Sequence, residues 1–286
     1  MKRNLLAEIE SRMPDFSKSQ KIISNYILKD YDKAAYMTAS KLGAEVHVSE
    51  STVVRYAIEL GFEGYPEFQH ALQEIVRTKL TSFQRMEVTN NLIGDGNVLD
   101  KVLLSDAEKI RHTLEGLDKE AFYAAVEKIV NARNIYILGS RSSASLAGFL
   151  NFNFRMMFDN VRHVEVNSGS EMFEQILNIG EDDVLIAISF PRYSKRTVRA
   201  VQYAHHAGAN VVSITDSAKS PIAADCDQLL TAHSDMASFV DSLVAPLSII
   251  NAMVAAVSMS RHEQVAARLR RLEEIWDEYD VYDKNN

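Results

Sequence analysis

The feature that most constrains the fold is a change in hydrophobic periodicity near residue 131. Before it, apolar residues recur at helical spacing; after it, short apolar runs alternate with amphipathic segments of helix length. The runs that we predict to be strands are residues 135–138, 161–166, 184–189, 211–215 and 228–231. Helices are predicted to begin near Ser143, Ser170, Lys195 and Asp241. This alternation is typical of a parallel sheet covered by helices on both faces, so we expect a doubly wound α/β domain.

The chain before this α/β region is predicted to be helical. Residues 1–80 form an all-α domain of short helices separated by turn signals. Residues 81–97, which are rich in asparagine and glycine, have a turn-rich composition and are our predicted interdomain linker. The second domain then covers residues 98–286 and opens with two helices that are separated near Gly116.

The number of cysteines and the length of the apolar segments indicate the cellular compartment of the protein. The single cysteine, Cys226, cannot form an intrachain disulfide, which fits a reducing environment. The N-terminus has no uninterrupted apolar leader segment. The longest apolar stretch, residues 243–257, contains Pro246 and Asn251 and is too short for a bilayer, so we predict a buried helix. We therefore expect a cytoplasmic protein without membrane contact.

The charge is unevenly distributed along the chain. The net charge of -8 argues against a protein that coats nucleic acid non-specifically. Residues 1–80 contain 11 Lys and Arg and 11 Asp and Glu, so the whole negative balance lies in the rest of the chain. Only the N-terminal domain can therefore approach a polyanion without strong repulsion.

Residues 38–61 have the spacing of a helix-turn-helix unit. Two short crossing helices would bury Leu42, Val53 and Leu60. In such a unit the N-terminal residues of the second helix face the base edges of the major groove. The residues predicted to contact DNA are Ser49, which also caps the second helix, and Ser51, Thr52, Arg55 and Tyr56. Small helical domains often contain similar helix pairs, so this spacing alone does not establish DNA binding.

Two serine-rich turns follow predicted strands. Residues 139–143 lead from the first strand into a helix, whose backbone N–H groups and serine hydroxyls would form an anion cradle. Residues 189–194 repeat this chemistry after the third strand, and in a parallel sheet both turns lie at the carboxyl edge. The residues predicted to bind a ligand are Gly139, Ser140, Arg141, Ser142, Ser143, Ser189, Arg192 and Ser194. The alternative is that each serine only caps a helix.

Together these regions resemble the RpiR/MurR family of bacterial transcriptional regulators. The resemblance rests on Ser-Glu-Ser-Thr-Val-Val-Arg-Tyr at residues 49–56, on Leu-Gly-Phe-Glu-Gly-Tyr-Pro-Glu-Phe at residues 60–68 and on the Gly-Ser-Arg-Ser-Ser turn. It covers nearly the whole chain and implies a helix-turn-helix domain joined to a sugar isomerase (SIS) domain. It also implies a homo-oligomeric regulator of carbohydrate catabolism that binds double-stranded operator DNA and senses a phosphosugar.

The second turn departs from the pattern of that family. Ser189 and Ser194 fall on hydroxyl positions of the family's second turn. Between them the family has Ser-Gly where this chain has Pro191-Arg192, which removes an N–H donor and the conformational freedom of glycine. We therefore expect a small anionic sugar derivative held between Arg141 and Arg192, whose guanidinium groups would replace the lost donors.

No catalytic residue, metal site or cofactor is predicted. The eight histidines are scattered, and no pair has metal-ligand spacing with an acidic partner. The chain has neither a glycine-rich nucleotide fingerprint nor a nucleophile elbow. Two alternatives stay open at this point. One is a SIS-type sugar-phosphate isomerase with an accessory helical domain, which would need a general base that the sequence does not show; the other is a binding module that does not contact DNA.

Overall fold

The computed structural model describes residues 5–79, 81–93, 97–165, 168–236 and 239–282. The described residues form two compact units. The first takes residues from 1–101 and 236–241, and the second takes residues from 102–235 and 242–286. Each unit has its own hydrophobic core, as expected of a chain with two domains.

The first unit is all-α, as predicted. Its helices are α1 (Leu5–Arg12), α2 (Lys18–Ala34), α3 (Ala39–Glu45), α4 (Glu50–Glu59), α5 (Tyr65–Lys79) and α6 (Ser82–Ile93). Ser17, Thr38 and Ser49 cap α2, α3 and α4, and each side chain accepts a hydrogen bond from a backbone N–H three residues later. The apolar faces of these helices pack around fully buried residues such as Ile27 and Leu60.

The predicted linker is largely helical, so the expectation of a turn-rich stretch was wrong over α6. One face of α6 is buried, and Val88 on that face belongs to the core of the first unit. This tertiary packing outweighs the turn preference of Asn90 and Asn91, because local propensity is weak compared with burial. Gly94 and Gly96, the strongest turn signals of the predicted linker, lie outside the described residues.

A buried cation attaches α6 to the segment 236–241. The Arg85 side chain is 3% exposed and forms an ion pair with Asp241. Its remaining nitrogens contact the Met236 Sδ and the Phe239 carbonyl oxygen. A buried guanidinium is costly unless it is paired and hydrogen-bonded, so these contacts specify where the segment lies against α6.

The second unit is built on a five-stranded parallel sheet in the order β2-β1-β3-β4-β5. The strands are β1 (Ile135–Gly139), β2 (Val161–Val164), β3 (Val184–Ile188), β4 (Asn210–Thr215) and β5 (Gln228–Thr231). Each of the predicted strands is confirmed, with small differences at the ends. Residue 166, at the end of the predicted second strand, lies outside the described residues.

Helices cover both faces of this sheet, which confirms the doubly wound α/β class. The helices from residue 98 onward are α7 (Val98–Gly116), α8 (Lys119–Asn131), α9 (Ser142–Met157), α10 (Gly169–Ile176), α11 (Lys195–His206), α12 (Val244–Ser260) and α13 (His262–Glu278). Side chains of a strand alternate between faces. Ile135 and Ile137 join the core formed with α8, α9 and α12, whereas Tyr136 and Leu138 join the core formed with α10 and α11.

The longest apolar stretch forms α12, which is buried as predicted. Ala245, Ile249 and Met253 lie in the core of the second unit. Among the described residues, no single helix is long and apolar enough to cross a membrane. Only α12 and α13 taken together reach that length and hydropathy, and they are bent by 100° at their junction.

A buried carboxylate supports the amino edge of the sheet. Asp183, which precedes β3, is fully buried and accepts hydrogen bonds from the Arg133 guanidinium at 2.6 and 3.0 Å. The Asn134 amide and the Gly180 N–H donate to the same carboxylate at 2.8 and 2.9 Å. Burial alone would raise the pKa of Asp183, but these hydrogen bonds outweigh it and hold the pKa below its ordinary value.

We predict that Asp183 stabilises the fold in a pH-dependent way. Because its folded-state pKa is lowered, the stabilisation is complete above the unfolded carboxyl pKa of about 4 and is lost as pH falls through the folded value. Asp183→Asn should therefore lower the Tm by several degrees at pH 7 and by much less at pH 3. The control is Asp182→Asn, since that side chain is exposed. Equal losses of Tm at both pH values, measured by calorimetry, would contradict the assignment.

Candidate functional site

The two serine-rich turns leave the sheet side by side. Strand β1 pairs with β2 on one side and with β3 on the other, and the register places Gly139 opposite Ile188 at their carboxyl ends. The chain moves from β1 toward one edge of the sheet and from β3 toward the other, so the gap between them is a topological switch point. Open α/β sheets bind ligands in the crevice at such a point.

The first turn depends on the glycine that ends β1. A Cβ atom on Gly139 would lie 2.4 Å from the carbonyl oxygen of Ser143, so a side chain at this position would force the strand and helix apart. The Ser143 N–H donates to the carbonyl oxygen of Ser140 in a tight turn. The N-cap position of α9 is Arg141, whose side chain makes no capping hydrogen bond. The positive end of the α9 dipole is therefore available to an anion at the crevice.

A hydrogen bond joins the second turn to the first. Ser194 caps α11 by accepting from the Thr197 N–H, and the Thr197 hydroxyl lies 3.0 Å from the Ser140 Oγ. Ser189 has a different role, because it is buried and its N–H donates to the Ile214 carbonyl oxygen of β4. The two turns are thus joined by the hydrogen bond between Ser140 and Thr197, and their polar groups lie together at the switch point.

A pocket of about 500 Å³ opens between the turns. Its lining residues are Gly139, Ser140, Arg141, Ala144, Ser194, Lys195 and Arg196. Three of these side chains are cationic, and none is a carboxylate, a histidine or a cysteine. The lining therefore suits an anion and lacks the usual ligands of a metal ion. Across the described ranges, no group of three or more His, Cys, Asp or Glu side chains is placed to hold a metal.

The structure brings part of the predicted ligand-binding set to this pocket. Gly139, Ser140, Arg141 and Ser194 line it, whereas Ser142, Ser143, Ser189 and Arg192 do not. Of the predicted clamp between Arg141 and Arg192, the pocket lining contains Arg141 and not Arg192. Arg192 lies at the bend of the second turn, and the chain returns to the pocket only at Ser194 and the first turn of α11. Lys195 and Arg196 are the other two cations of the lining.

Three residues of the pocket lining were not predicted from the sequence: Ala144, Lys195 and Arg196. A signal for the two cations was present, because the first turn of α11 contains Lys195 and Arg196 and no acidic residue. A helix dipole disfavours positive charge at the N-terminus by roughly 0.3–1 kcal/mol for each group. An anion bound at that position would offset this cost.

Each turn contains an arginine with positive φ. Arg141 has φ 57° and Arg192 has φ 60°. Residues with a Cβ atom pay about 1–2 kcal/mol for such a conformation, which glycine adopts freely. Backbone strain of this kind concentrates at ligand-binding turns, where the surrounding structure imposes it.

In the first unit, α3 and α4 form the predicted crossing pair. A Cβ atom on Gly43 would lie 2.8 Å from the Val48 carbonyl oxygen, so this glycine permits the close approach of α3 and the turn. Ser51 and Arg55 are exposed on α4, and Thr52 is half-buried. The Arg55 Nε donates to the Ser51 carbonyl oxygen at 3.2 Å. The N-terminal half of α4 thus presents a polar surface with one cation, Arg55, and one carboxylate, Glu50, at the position of a recognition helix.

The structure contradicts the prediction that Tyr56 contacts DNA. Its side chain is fully buried, and its hydroxyl lies 2.7 Å from the Ser24 Oγ of α2. The ring packs edge-on against Phe16 and Phe68. Burial raises the pKa of Tyr56 to about 12, so the phenol stays protonated. One residue corresponds to about 100° of rotation around a helix, which separates buried Tyr56 from exposed Arg55.

Two family models match the chain in these regions. The helix-turn-helix domain of the rpiR family matches residues 3–79, and the SIS domain matches residues 128–256. The chain is an RpiR-family helix-turn-helix protein with a SIS domain. The family resemblance of the sequence is thereby confirmed, and the two models fall on the two units that carry α4 and the pocket.

This RpiR-family chain is similar over nearly its full length to a named regulator. The HTH-type transcriptional regulator HexR of Escherichia coli strain K12 is 26% identical over 288 residues, which covers 96% of this chain and 95% of HexR. The chain is accordingly a transcriptional regulator and not an enzyme. The isomerase alternative is set aside.

Solved structures show the same fold. The Vibrio vulnificus NanR protein complexed with ManNAc-6P matches with a TM-score of 0.60 at 21% identity, covering 96% of this chain and 99% of NanR. The sugar isomerase domain of an RpiR transcription factor from Sphaerobacter thermophilus matches with a TM-score of 0.58 at 28% identity. That match covers 61% of this chain and 97% of the Sphaerobacter domain.

We predict that substitutions at Arg55 and Tyr56 change different properties. Arg55→Ala should weaken DNA binding, and Tyr56→Phe should lower the stability of the fold. Arg55→Ala removes an exposed cation from α4 and should weaken operator binding by roughly 1–3 kcal/mol with little change in Tm. Tyr56→Phe removes the hydroxyl that contacts Ser24 and should lower the free energy of unfolding by about 1 kcal/mol without weakening operator binding.

Fluorescence anisotropy at fixed salt, with a DNA fragment selected by the wild-type protein from a random pool, measures the first effect. Thermal denaturation measures the second. Unchanged affinity of Arg55→Ala would remove that residue from the DNA-contacting set, and weaker binding by a fully stable Tyr56→Phe would return Tyr56 to it.

Proposed function

We propose that the protein regulates genes of carbohydrate metabolism, and that an anionic sugar derivative, such as a phosphorylated sugar, binds its SIS domain and controls DNA binding. The observation that carries this proposal is the pocket at the switch point, whose lining includes Arg141, Lys195 and Arg196 and contains no carboxylate. NanR, which shares the fold, was solved with ManNAc-6P, and this supports a sugar phosphate as the ligand class.

Each part of the pocket has a defined task in this proposal. The phosphate or carboxylate of the ligand accepts charge-assisted hydrogen bonds from the guanidinium groups and the Lys195 ammonium, which are stronger than neutral ones. The N-terminus of α9, where Arg141 makes no side-chain cap, adds the positive end of the helix dipole. Ser140, held by Thr197, offers a hydroxyl to the sugar. The pocket volume of about 500 Å³ suits a monosaccharide derivative.

The DNA-binding surface in this proposal is the N-terminal half of α4. Ser51, Thr52 and Arg55 contact bases or phosphates, while Ser49 orders the start of the helix by capping it. The N-terminal domain carries no net charge, so one copy binds a polyanion weakly. We therefore expect a homo-oligomer in the cytoplasm that reads a palindromic operator, with half-sites about one helical turn, or a multiple of it, apart.

Control by the ligand requires a free-energy coupling between the pocket and the paired helix-turn-helix domains. A ligand changes operator affinity only if it binds one arrangement of the oligomer better than another. Couplings of this type are typically about 1–3 kcal/mol, so operator affinity should change by roughly 5- to 150-fold when the pocket is saturated.

We predict that Arg141→Gly separates ligand binding from fold stability. The substitution removes a cation from the pocket and also relieves the positive φ at this position. Affinity for the ligand should fall by about one to two decades, the loss expected for one charge-assisted contact, while the Tm of the ligand-free protein stays the same or rises. Arg192→Gly is the matched control, because it relieves the same strain outside the pocket lining and should leave affinity unchanged.

The measurement begins with a thermal-shift screen of hexose and amino-sugar phosphates against the same sugars without phosphate. Isothermal titration then compares wild type, Arg141→Gly and Arg192→Gly with the ligand that raises the Tm most. A neutral sugar that binds as tightly as its phosphate would refute an anionic ligand, and equal affinity of all three proteins would refute the role of Arg141.

A further inference from the structure

Helix α4 carries an exposed apolar residue, Ile58, among its polar surface residues. Ile58 is 51% exposed. Single apolar residues are common on protein surfaces, so exposure alone gives Ile58 no role. Its position around the helix is more informative, because that position determines what the side chain would meet when α4 contacts DNA.

Ile58 lies on the face of α4 that points away from the core. The buried residues of this helix and its C-cap fall within an arc of about 100°, at about 100° per residue. They are Val53, Tyr56, Ala57 and Leu60. Ser51, Arg55 and Ile58 are exposed and lie within about 30° of the centre of the opposite face. These three residues form an outward row, of which the first two are predicted DNA contacts.

The outward row has a spacing by which recognition helices read bases. Ser51, Arg55 and Ile58 are positions i, i+4 and i+7 of one helix. The recognition helix of homeodomains reads the major groove through residues at i, i+3, i+4 and i+7. Position i+3 of α4 is Val54, which is half-buried and packs against the core. Ile58 therefore occupies the last base-reading position of such a helix.

The carboxylate next to Ile58 is paired within the first unit. The Arg12 Nη1 of α1 donates to the Glu59 carbonyl oxygen at 2.9 Å, and the Arg12 Nη2 lies 3.9 Å from the Glu59 Oε1. The Gln20 Nε2 of α2 donates to the Glu59 Oε2. The Glu59 side chain is thus drawn toward α1 and α2, and Arg12 balances its charge. The last turn of α4 can therefore approach DNA without an unbalanced carboxylate beside Ile58.

The major groove offers one apolar group that suits Ile58. The base edges in this groove present hydrogen-bond donors and acceptors, and thymine adds its C5-methyl group. Ile58 has no polar side-chain atom, so covering another base edge would remove water from a donor or acceptor without replacing the hydrogen bond. Contact with the methyl group would instead bury apolar surface on both sides. Thymine is therefore the base that Ile58 would favour.

Arg55 indicates where this thymine should lie. The bond from the Arg55 Nε to the Ser51 carbonyl oxygen aligns the arginine along the outward row and does not use the two Nη groups. A guanidinium can recognise the edge of a guanine. Ile58 follows three residues later, a rise of about 4.5 Å along the helix. Because successive base pairs are about 3.4 Å apart, a helix that follows the groove would place the two bases one or two pairs apart.

We propose that Ile58 is a specificity-determining residue, whose side chain contacts the C5-methyl group of a thymine one or two base pairs from the guanine that Arg55 reads. This inference rests on the proposed DNA-binding function of α4. It adds a base preference that the hydroxyl and guanidinium groups of this helix do not supply. Each half-site of the operator should therefore contain both a guanine and a thymine within the reach of one α4.

Replacing thymine by deoxyuridine tests the contact, because the exchange removes only the methyl group. An operator selected by the wild-type full-length protein from a random pool is synthesised with deoxyuridine at one thymine position of each half-site at a time. Fluorescence anisotropy at fixed salt measures the affinities. At one position the wild type should lose about three- to fivefold per half-site, the value expected for the burial of one methyl group. Ile58→Ala should bind the thymine operator more weakly and should not respond to deoxyuridine at that position.

A matched control is Ile22→Ala, which removes an isoleucine of α2 that is 41% exposed. This variant should keep the wild-type response to deoxyuridine. A random-pool selection with Ile58→Ala should lose the thymine preference at the same position and keep the guanine preference. Circular dichroism checks that both variants are folded.

The outcomes separate this inference from the proposed function. A wild type that selects no DNA sequence would contradict the proposed function. A wild type that binds its operator equally well with deoxyuridine at every thymine position would overturn only the role of Ile58. The same holds if Ile58→Ala keeps the full response to deoxyuridine or still selects thymine at that position.

Discussion

The close approach of α9 to the end of β1 is the constraint on which the rest of the pocket depends. Only a residue without a Cβ atom allows the Ser143 carbonyl oxygen to lie where it does, because a Cβ on Gly139 would be 2.4 Å away. This contact places the start of α9 directly above the sheet at the switch point. The second turn then docks through the bond between Ser140 and Thr197, and the cations of α11 reach the same space.

The charge of the pocket is opposite in sign to the net charge of the second domain. Residues beyond 80 carry the whole net charge of -8, yet the pocket gathers three cations and a helix N-terminus without a carboxylate. An anion in the pocket would offset the charge of these groups. Ligand binding should therefore stabilise the domain by mass action.

Local pattern and long-range packing explain which predictions were correct. The strands and the helix cap at Ser49 follow from spacing and local chemistry, so the sequence was sufficient for them. The position of Tyr56 depends on how α2 and α5 pack against α4, which no local pattern shows. Helix α6 likewise depends on Arg85 meeting Asp241, a residue distant in sequence. Which side chain of a turn enters the pocket depends on backbone angles, and so Lys195 and Arg196 were missed.

The two arginines with positive φ have a consequence for how relatives of this protein can be recognised. Arg141 and Arg192 keep turn conformations that glycine would adopt without strain. A search pattern that requires glycine at position 192, as in the family that the sequence resembles, would pass over this chain. Relatives whose second turn lacks that glycine are better recognised by a positive φ at this position than by residue identity.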